Sequence, residues 1–264
     1  TEATTVVSKG GFVALPMVYA ARLTGRRLIV LESDAVMGAT NRLSSRFADK
    51  VLTAFPAEVY PFQNSKFIQV GIPIRRSLAR ASRLKSPVKP RPLIFIIAGS
   101  QGSTAINNYI ASIIPELIKK YDVVHGVGEK NEAAMREVVA KLPKADQPHY
   151  KVSGFIGREL PYYYQAADLV ICRAGATTIA EGATFKKAMY LIPLPNASAN
   201  HQVVNARKLE QAGAAMVREQ YQLSSEQLFA DIQKLMSNPE ERLKLGKIST
   251  NTSTVIIPSA KRWR

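Results

Sequence analysis

The sequence contains little sulfur and no long apolar run. Its 264 residues include one cysteine, Cys172, which excludes a disulfide framework and a cysteine-rich metal site. No apolar stretch approaches the roughly 20 residues that a membrane-spanning helix needs, and residues 1–5 lack the character of a signal peptide. Metal-ligand spacing and the Ser-His-Asp order of hydrolases are absent too. We therefore expect a reduced, soluble, intracellular protein.

Acidic side chains are also scarce, and their scarcity is uneven. The chain has 36 basic and 20 acidic residues, a net charge of +16, and residues 1–91 alone hold 15 basic and 5 acidic ones. The segment 66–91 holds eight basic residues and no acid, and prolines mark its end. It is interpreted either as a solvated linker or as a surface for an anionic partner, lipid headgroups or nucleic acid. No aromatic residue lies among the basic ones at 78–92, so nucleic acid is the weaker candidate.

Strand and helix patterns alternate from residue 92 onward. The run 93–97 is β-branched and aromatic and ends in a glycine turn, which is typical of a buried parallel strand. Further strands are predicted at 122–127, 150–155, 168–173, 189–193 and 214–218, with helices at 103–120, 131–141, 161–167, 178–187, 201–211 and 224–237. The alternation predicts a doubly wound, parallel α/β sheet.

The first third shows the same alternation with fewer elements. About three strands are predicted, near 6–7, 28–31 and 51–55, with a helix at 13–23. An independent sheet usually has five or six strands. We therefore expect this half either to borrow a partner or to begin part-way through a domain, and we expect the boundary between the halves at 86–92.

Three loops at predicted strand ends are candidates for ligand binding. The loop 99–103 is rich in glycine and serine. Its glycines either let the backbone amides approach an anion or serve only the close packing of the strand on the following helix. The loop 173–178 repeats the arrangement, and Glu181 follows either as a capping-box partner of Thr178 or as a carboxylate for sugar hydroxyls. The loop 196–205 is crowded with amides, which suit sugar hydroxyls, although an ordinary loop with an N-cap at Asn200 is the alternative. His125 and His149 are interpreted as ordinary strand or loop residues.

Five sequence motifs occur in order along the chain. They are ESDAVMGATNR at 32–42, VGIPIR at 70–75, AGSQG at 98–102, CRAGATTIAE at 172–181 and NHQVVNA at 200–206. Together they resemble the MurG family, the glycosyltransferases of peptidoglycan synthesis, and the resemblance covers nearly the whole chain.

The resemblance implies a GT-B fold of two Rossmann-like, doubly wound parallel-sheet domains. An incomplete acceptor domain at 1–88 would precede a UDP-sugar domain at 89–264, whose C-terminal tail is a candidate to pack back on the first domain. The implied reaction is inverting transfer of N-acetylglucosamine from UDP-GlcNAc to the undecaprenyl-linked muramoyl pentapeptide, lipid I. The product is lipid II, made by a peripheral protein at the anionic cytoplasmic face of the membrane without a cofactor or metal.

The same resemblance assigns roles around the nucleotide. Glu181 would hold the ribose hydroxyls, and Phe155 with Ile156 would line the uracil pocket. Arg75 would approach the diphosphate from the other domain. The remaining diphosphate contacts would come from Ser100, Thr178 and the backbone amide of Thr177.

Around the sugar, the resemblance assigns contacts to Gln202, His201 and the backbone at Ala176. Asp34 is the candidate group on the acceptor side. Two further binding candidates lie in the glycine loops, Gln101 and Arg173.

Three features depart from the family pattern. The family's first glycine-rich loop, with a histidine often assigned as the general base, has no counterpart before Gly10, so the base is unknown and the chain alone is expected to be poorly active. Asp34 stands where the family usually has asparagine. Lys186-Lys187-Ala188 replaces the usual Gly-x-Pro and is expected to alter a helix exit rather than a ligand contact.

These departures leave two alternatives to the transferase. One is a non-catalytic or truncated homologue that binds sugar nucleotides or an anionic membrane. The other is a GT-B lipid glycosyltransferase with a different acceptor.

Overall fold

Two parallel β-sheets organise the chain. The computed structural model describes residues 3–60 and 64–251. The first sheet has the order β1-β2-β3-β4, with strands Thr5–Ser8, Arg27–Glu32, Lys50–Thr53 and Phe67–Gln69. The second has the order β10-β9-β8-β5-β6-β7, with β5 to β10 at Leu93–Ile97, Asp122–Gly126, Tyr150–Ser153, Leu169–Cys172, Ala188–Leu191 and Met216–Val217. All these strand pairs are parallel, which confirms the predicted α/β class with parallel sheets in two domains.

Helices connect the strands. In the first sheet they are α1 (Leu15–Leu23), α2 (Ala39–Ser44) and α3 (Arg76–Ala81). In the second they are α4 to α10, at Thr104–Leu117, Glu132–Lys141, Leu160–Ala166, Ala176–Thr184, His201–Gln211, Ser225–Ser237 and Pro239–Asn251. Among residues 3–60 and 64–251, no helix combines the length and hydrophobicity that crossing a membrane would require.

The first sheet contains one strand more than the sequence predicts. β4 lies inside the basic segment 66–91, and so does α3, so the interpretation of that segment as a plain linker is wrong. β4 pairs with β3 through Val51↔Phe67 and its neighbours. With only three residues, β4 is too short to leave a period-two pattern in the sequence.

The two sheets share part of their core. One cluster of buried apolar residues runs from Val30 and Val51 in the first sheet to Tyr164 of α6 and Ile179 of α7, which flank the second sheet. α3 packs on α6 and α7, and Leu78 of α3 is buried in the same cluster. The shared core fixes how the first domain sits above the carboxyl ends of the second sheet, where ligands of open parallel sheets bind.

The expected placement of the C-terminal tail on the first domain concerns residues that lie outside the described part of the chain. The limits 1–88 and 89–264 stay a prediction.

Candidate functional site

A cleft lies at the switch point of the second sheet. The chain winds from β5 to β6 and β7 on one side and continues through β8, β9 and β10 on the other, so a crevice opens beyond the ends of β5 and β8. The cleft has a volume of about 420 Å³. Its lining brings together seven of the predicted site residues: Arg75, Ser100, Phe155, Ile156, Thr177, Thr178 and Glu181.

The loop after β5 forms one wall. Gly99 and Gly102 have positive φ angles of 85° and 70°, which favour glycine, and a Cβ on Gly102 would collide with the Val127 backbone. Ser103 then accepts a hydrogen bond from the Ile106 amide and caps α4. The loop thus packs closely at Gly102 and is exposed at Ser100 and Gln101, and Ser100 lines the cleft. Both interpretations of its glycines, close packing and access for a ligand, therefore apply.

The loop after β8 supplies the first turn of α7. Gly175 is the N-cap residue, and the first intrahelical bond runs from the Ile179 amide to the Gly175 carbonyl at 3.0 Å. The amides of Ala176, Thr177 and Thr178 therefore precede the hydrogen-bonded ladder, at the positive end of the helix dipole. Such a helix start favours an anion. Helix α7 begins two residues earlier than predicted, so the capping-box interpretation of Thr178 and Glu181 is wrong: Thr178 lies inside the helix.

Glu181 is the buried carboxylate of the cleft. It is 7% exposed, and its two oxygens accept hydrogen bonds from different partners. Arg75 Nη2 reaches Oε1 at 3.3 Å across the gap between the domains, and the Tyr164 hydroxyl donates to Oε2 at 3.2 Å. Burial, reinforced by the Glu181 charge, raises the pKa of Tyr164 well above its usual value, so the hydroxyl stays a donor. The Arg75 side chain is 60% exposed and can turn toward a ligand.

Phe155 and Ile156 follow β7 and close the far end of the cleft. Ile156 is buried in the core cluster, whereas Phe155 leaves 59% of its surface exposed. Gly126 and Gly154 also line this end. An exposed aromatic side chain at the edge of a cleft suits stacking on a flat ring.

Arg173 lies below the loops instead of in the cleft. Its side chain is buried, and its guanidinium donates to the carbonyls of Ile192 and Pro193, to Ser103 Oγ at 2.6 Å and to Gln220 Oε1 at 2.7 Å. Burial lowers its pKa to about 10, so it remains charged at neutral pH. These bonds tie the ends of β8 and β9 to the cap of α4, which makes Arg173 a support for the two loops.

A second cavity of about 350 Å³ lies between the domains in front of the first sheet. It contains Asp34 and His201 among the predicted residues, together with Lys9, Glu32 and Asn41. The loop that enters α8 borders it at Ala199. Asn196, Ala199 and Asn200 of this loop have φ values of 50–58°, which are unusual for residues with a side chain. Asn200 occupies the N-cap position of α8 but makes no side-chain capping bond, so the alternative of an ordinary capped loop is not supported.

Two predicted residues on the sugar side have structural contacts. Ala176 is buried at the start of α7. Gln202 Oε1 accepts from the Leu194 amide at 3.0 Å and so fixes the exit of β9.

Sequence reasoning did not single out Glu32, Asn41 or Tyr164 as site residues, and it included Asn205 only as one amide of the loop 196–205. Glu32 accepts from the amides of Asp34 and Gly38 and from Asn41 Nδ2, and burial raises its pKa. Glu32, Asn41 and Asn205 lie in motifs that carry the family resemblance, and this position was the sequence signal that could have identified them. Tyr164 had none, because its partner Glu181 is 17 positions away.

Similarity to known families extends over both sheets. The glycosyltransferase family 28 C-terminal domain matches residues 93–257, and the N-terminal domain of the same family matches residues 1–53.

Curated relatives carry the name UDP-N-acetylglucosamine–N-acetylmuramyl-(pentapeptide) pyrophosphoryl-undecaprenol N-acetylglucosamine transferase. The protein from an Anaeromyxobacter species is 39% identical over 92% of this chain and 63% of its own length. The one from Clostridium kluyveri is 34% identical over 95% of this chain and 71% of its own length. The chain thus spans about two thirds of the length of these relatives.

Among solved structures, Acinetobacter baumannii MurG superimposes with a TM-score of 0.73 at 29% identity, covering 93% of this chain and 68% of that one. The S. aureus MnaA–UDP complex superimposes at 0.64 with 10% identity and shares the fold alone. The expected GT-B fold is confirmed by these neighbours.

Proposed function

The chain belongs to the MurG family within glycosyltransferase family 28, and from this premise we propose that it transfers N-acetylglucosamine from UDP-GlcNAc to lipid I, which yields lipid II. The observation that carries the proposal is the cleft itself: a helix start with free amides, a buried carboxylate and an arginine from the opposite domain line one space.

The diphosphate would lie at the start of α7. Thr177 and Thr178 offer amides at the positive end of the helix, and Ser100 offers a hydroxyl from the loop after β5. Arg75 would turn from Glu181 toward the phosphates. Charge that builds on the departing UDP would then meet oriented dipoles and a guanidinium, which are in place before the reaction begins.

The nucleoside would occupy the deeper part of the cleft. Glu181 keeps acceptor capacity beyond its bonds to Arg75 and Tyr164, which suits a pair of ribose hydroxyls. Uracil would lie against Phe155 and Ile156.

The sugar would point toward the second cavity. His201 lines this cavity, while Gln202 and the backbone at Ala176 lie in the first turns of α8 and α7. Gln101 and Arg173 would contribute less directly, Gln101 at the exposed edge of the loop after β5 and Arg173 as its support. The acceptor would enter from the first domain, past Gly10 and Gly11.

We also propose domain limits of 1–88 and 89–264. Lys89 forms an ion pair with Asp168, and Arg91 one with Asp122, so the start of the second segment is held to residues of its own sheet, which supports these limits.

A peripheral position on the anionic, cytoplasmic face of the membrane is part of the same proposal. Phe12, Val13 and Leu23 are each more than four-fifths exposed at the first helical segment of the chain. Arg75, Lys89 and Arg91 of the basic segment 66–91 make ion pairs within the protein. The attraction to lipid headgroups would therefore come from its exposed cations, which include Arg76, Arg80, Arg83 and Lys85.

Liposome sedimentation tests this position. We expect binding to vesicles with anionic lipid, a decrease as salt shortens the Debye length from about 10 Å at 0.1 M to about 3 Å at 1 M, and weak binding to zwitterionic vesicles. Binding that is indifferent to both salt and lipid charge would contradict it.

The transfer itself is tested with UDP-GlcNAc labelled in the sugar and a short-chain lipid I analogue. We expect a labelled disaccharide lipid, formed slowly by this chain alone, with one UDP released for each product, and no product with Glu181→Ala. A folded chain that binds UDP-GlcNAc but transfers nothing would refute the transferase and favour a sugar-nucleotide-binding homologue. Transfer to a different lipid acceptor only would refute the choice of lipid I.

A further inference from the structure

A further pocket adjoins the nucleotide cleft beside Phe155. It has a volume of about 420 Å³, and its lining includes Arg75, Ser77, Leu78, Phe155, Arg158 and Leu160. Three of these residues, Arg75, Phe155 and Leu160, also line the cleft, so the two spaces share a border. We propose that this side pocket binds a phosphate monoester that carries an aromatic ring, and that its occupation weakens the binding of UDP-GlcNAc. The coupling rests on the proposed function, whereas binding in the pocket does not.

The charge of the side pocket favours an anion. Its lining, within the part of the chain that the structure describes, has two guanidinium groups and no carboxylate. Arg158 is exposed and makes no hydrogen bond or ion pair with any residue of 3–60 or 64–251. The acid next to it, Glu159, is engaged elsewhere, because it accepts from Lys151 Nζ at 3.1 Å and from the Tyr163 hydroxyl at 3.2 Å. A guanidinium pairs with phosphate through two parallel hydrogen bonds, so Arg158 is available for such a group.

The rest of the lining suits an apolar ring. Leu78 and Leu160 are buried and present apolar surface, and Phe155 leaves 59% of its surface exposed. The Phe155 ring lies close to the backbone of Gly157, where an added Cβ would be 3.2 Å from Cε1 of the ring. Convergent cations beside leucines and an exposed aromatic face therefore indicate a ligand with a phosphate at one end and a flat ring at the other.

Arg75 couples the side pocket to the nucleotide cleft. Its Nη2 donates to Glu181 Oε1 at 3.3 Å, and its side chain is 60% exposed, so it can turn. In the proposed function it turns toward the diphosphate, whereas a phosphate in the side pocket would attract the same guanidinium. Each ligand then lowers the affinity for the other by the same factor. Solvent screens the exposed Arg75, so we expect a factor of about 5–10, near the lower end of the usual range.

Phenyl phosphate is the probe for the pocket itself. Titration of the folded chain, followed by phosphorus NMR, should give saturable binding with a Kd of about 1–5 mM, as expected for a ligand of this size. Arg158→Gln should raise that Kd by at least about 5-fold. The matched control is Arg83→Gln, which removes the same charge from an exposed residue outside both pockets and should change the Kd by less than about two-fold.

The coupling is measured by titrating UDP-GlcNAc at increasing phenyl phosphate, with sodium chloride adjusted to hold the ionic strength constant. In the wild type and in Arg83→Gln, the Kd for UDP-GlcNAc should rise and level off about 5- to 10-fold higher. In Arg158→Gln it should stay nearly flat. Without phenyl phosphate, Arg158→Gln should bind UDP-GlcNAc within about two-fold of wild type, because Arg158 does not line the cleft. Inorganic phosphate, which lacks the ring, should have a smaller effect.

The outcomes separate this inference from the proposed function. A Kd for UDP-GlcNAc that rises without levelling off, equally in wild type and Arg158→Gln, would place the probe in the nucleotide cleft and overturn the inference. An equal effect of inorganic phosphate would contradict the choice of an aromatic ligand. A chain that binds UDP-GlcNAc but not phenyl phosphate would overturn the inference alone. A chain that binds phenyl phosphate through Arg158 but no UDP-GlcNAc would contradict the proposed function and support the pocket.

Discussion

Replacing Glu181 with glutamine separates its binding role from its structural one. The substitution keeps the shape of the side chain and removes its charge. A carboxylate has about four acceptor positions, of which Arg75 and Tyr164 occupy one on each oxygen. Two positions remain for the two ribose hydroxyls. With UDP bound and Arg75 turned to the phosphates, Glu181 would accept from Tyr164 and from the two ribose hydroxyls. Glutamine keeps two acceptor positions on one oxygen only, so it cannot accept all three hydrogen bonds.

The expected magnitudes differ between binding and folding. Hydrogen bonds to a charged group contribute about 1.5–3 kcal/mol and neutral ones about 0.5–1.5 kcal/mol, so replacing two of the former weakens UDP binding by about 2–3 kcal/mol. That free energy corresponds to roughly a 30- to 150-fold higher Kd. The Arg75–Glu181 ion pair is 3.3 Å long, but Arg75 is 60% exposed, so water screens it and its loss costs folding no more than about 1 kcal/mol.

Calorimetric titration with UDP and urea unfolding measure the two effects on the same protein. Glu159→Gln is a suitable control, because Glu159 forms an exposed ion pair with Lys151 and does not line the cleft. The reasoning would be refuted by a Kd within about three-fold of wild type, or by a loss of stability as large as the loss of binding.

Three further changes test individual contacts. Phe155→Leu should weaken UDP by about 0.5–1.5 kcal/mol in titration without lowering the urea midpoint, because the ring is exposed and contributes stacking only; an unchanged Kd would remove it from the site. Burial lowers the pKa of His125 from 6.5 to about 3, so the neutral form is favoured in the fold and stability is lost as the pH falls below 6.5. Relative to His125→Phe, the wild-type free energy of unfolding should therefore fall by about 1.4 kcal/mol per pH unit below pH 6, and parallel pH curves would contradict this. Lys186→Gly should raise the free energy of unfolding by about 0.5–1 kcal/mol, because Lys186 ends α7 at a φ of 56°; a lower urea midpoint would count against this strain.

The second sheet could be predicted because its strands are continuous apolar runs. The run at 93–97 and the apolar strands that follow leave little choice of element, and the structure places all six predicted strands there. The exit of α7 also follows the expectation: the amides of Lys186 and Lys187 donate to the carbonyls of Ala183 and Gly182, and neither lysine is among the residues that line the cleft.

The missed elements are short or polar. β4 has three residues, α3 has six, and neither shows a period that separates it from a basic linker. α10 could have been found, since Asn238 caps it through a bond to the Glu241 amide, Pro239 begins it, and Glu240 and Glu241 lie in its first turn.

The contacts between the domains depend on tertiary structure alone. Arg75 and Glu181 are 106 positions apart, and Asp34 and Asn205 are 171 apart. The motifs around them indicate that the residues matter, but no spacing rule pairs them. The domain arrangement brings a cation of the first domain to a carboxylate of the second, and it gives the capping-box candidate Glu181 a different partner.

The central claim is that the cleft between β5 and β8 is the donor-nucleotide site, and calorimetric titration of the folded wild-type chain with UDP-GlcNAc tests it most directly. We expect saturable one-to-one binding that free UDP competes away. A chain that gives a cooperative urea transition but no heat of binding with either UDP-GlcNAc or UDP would contradict the claim.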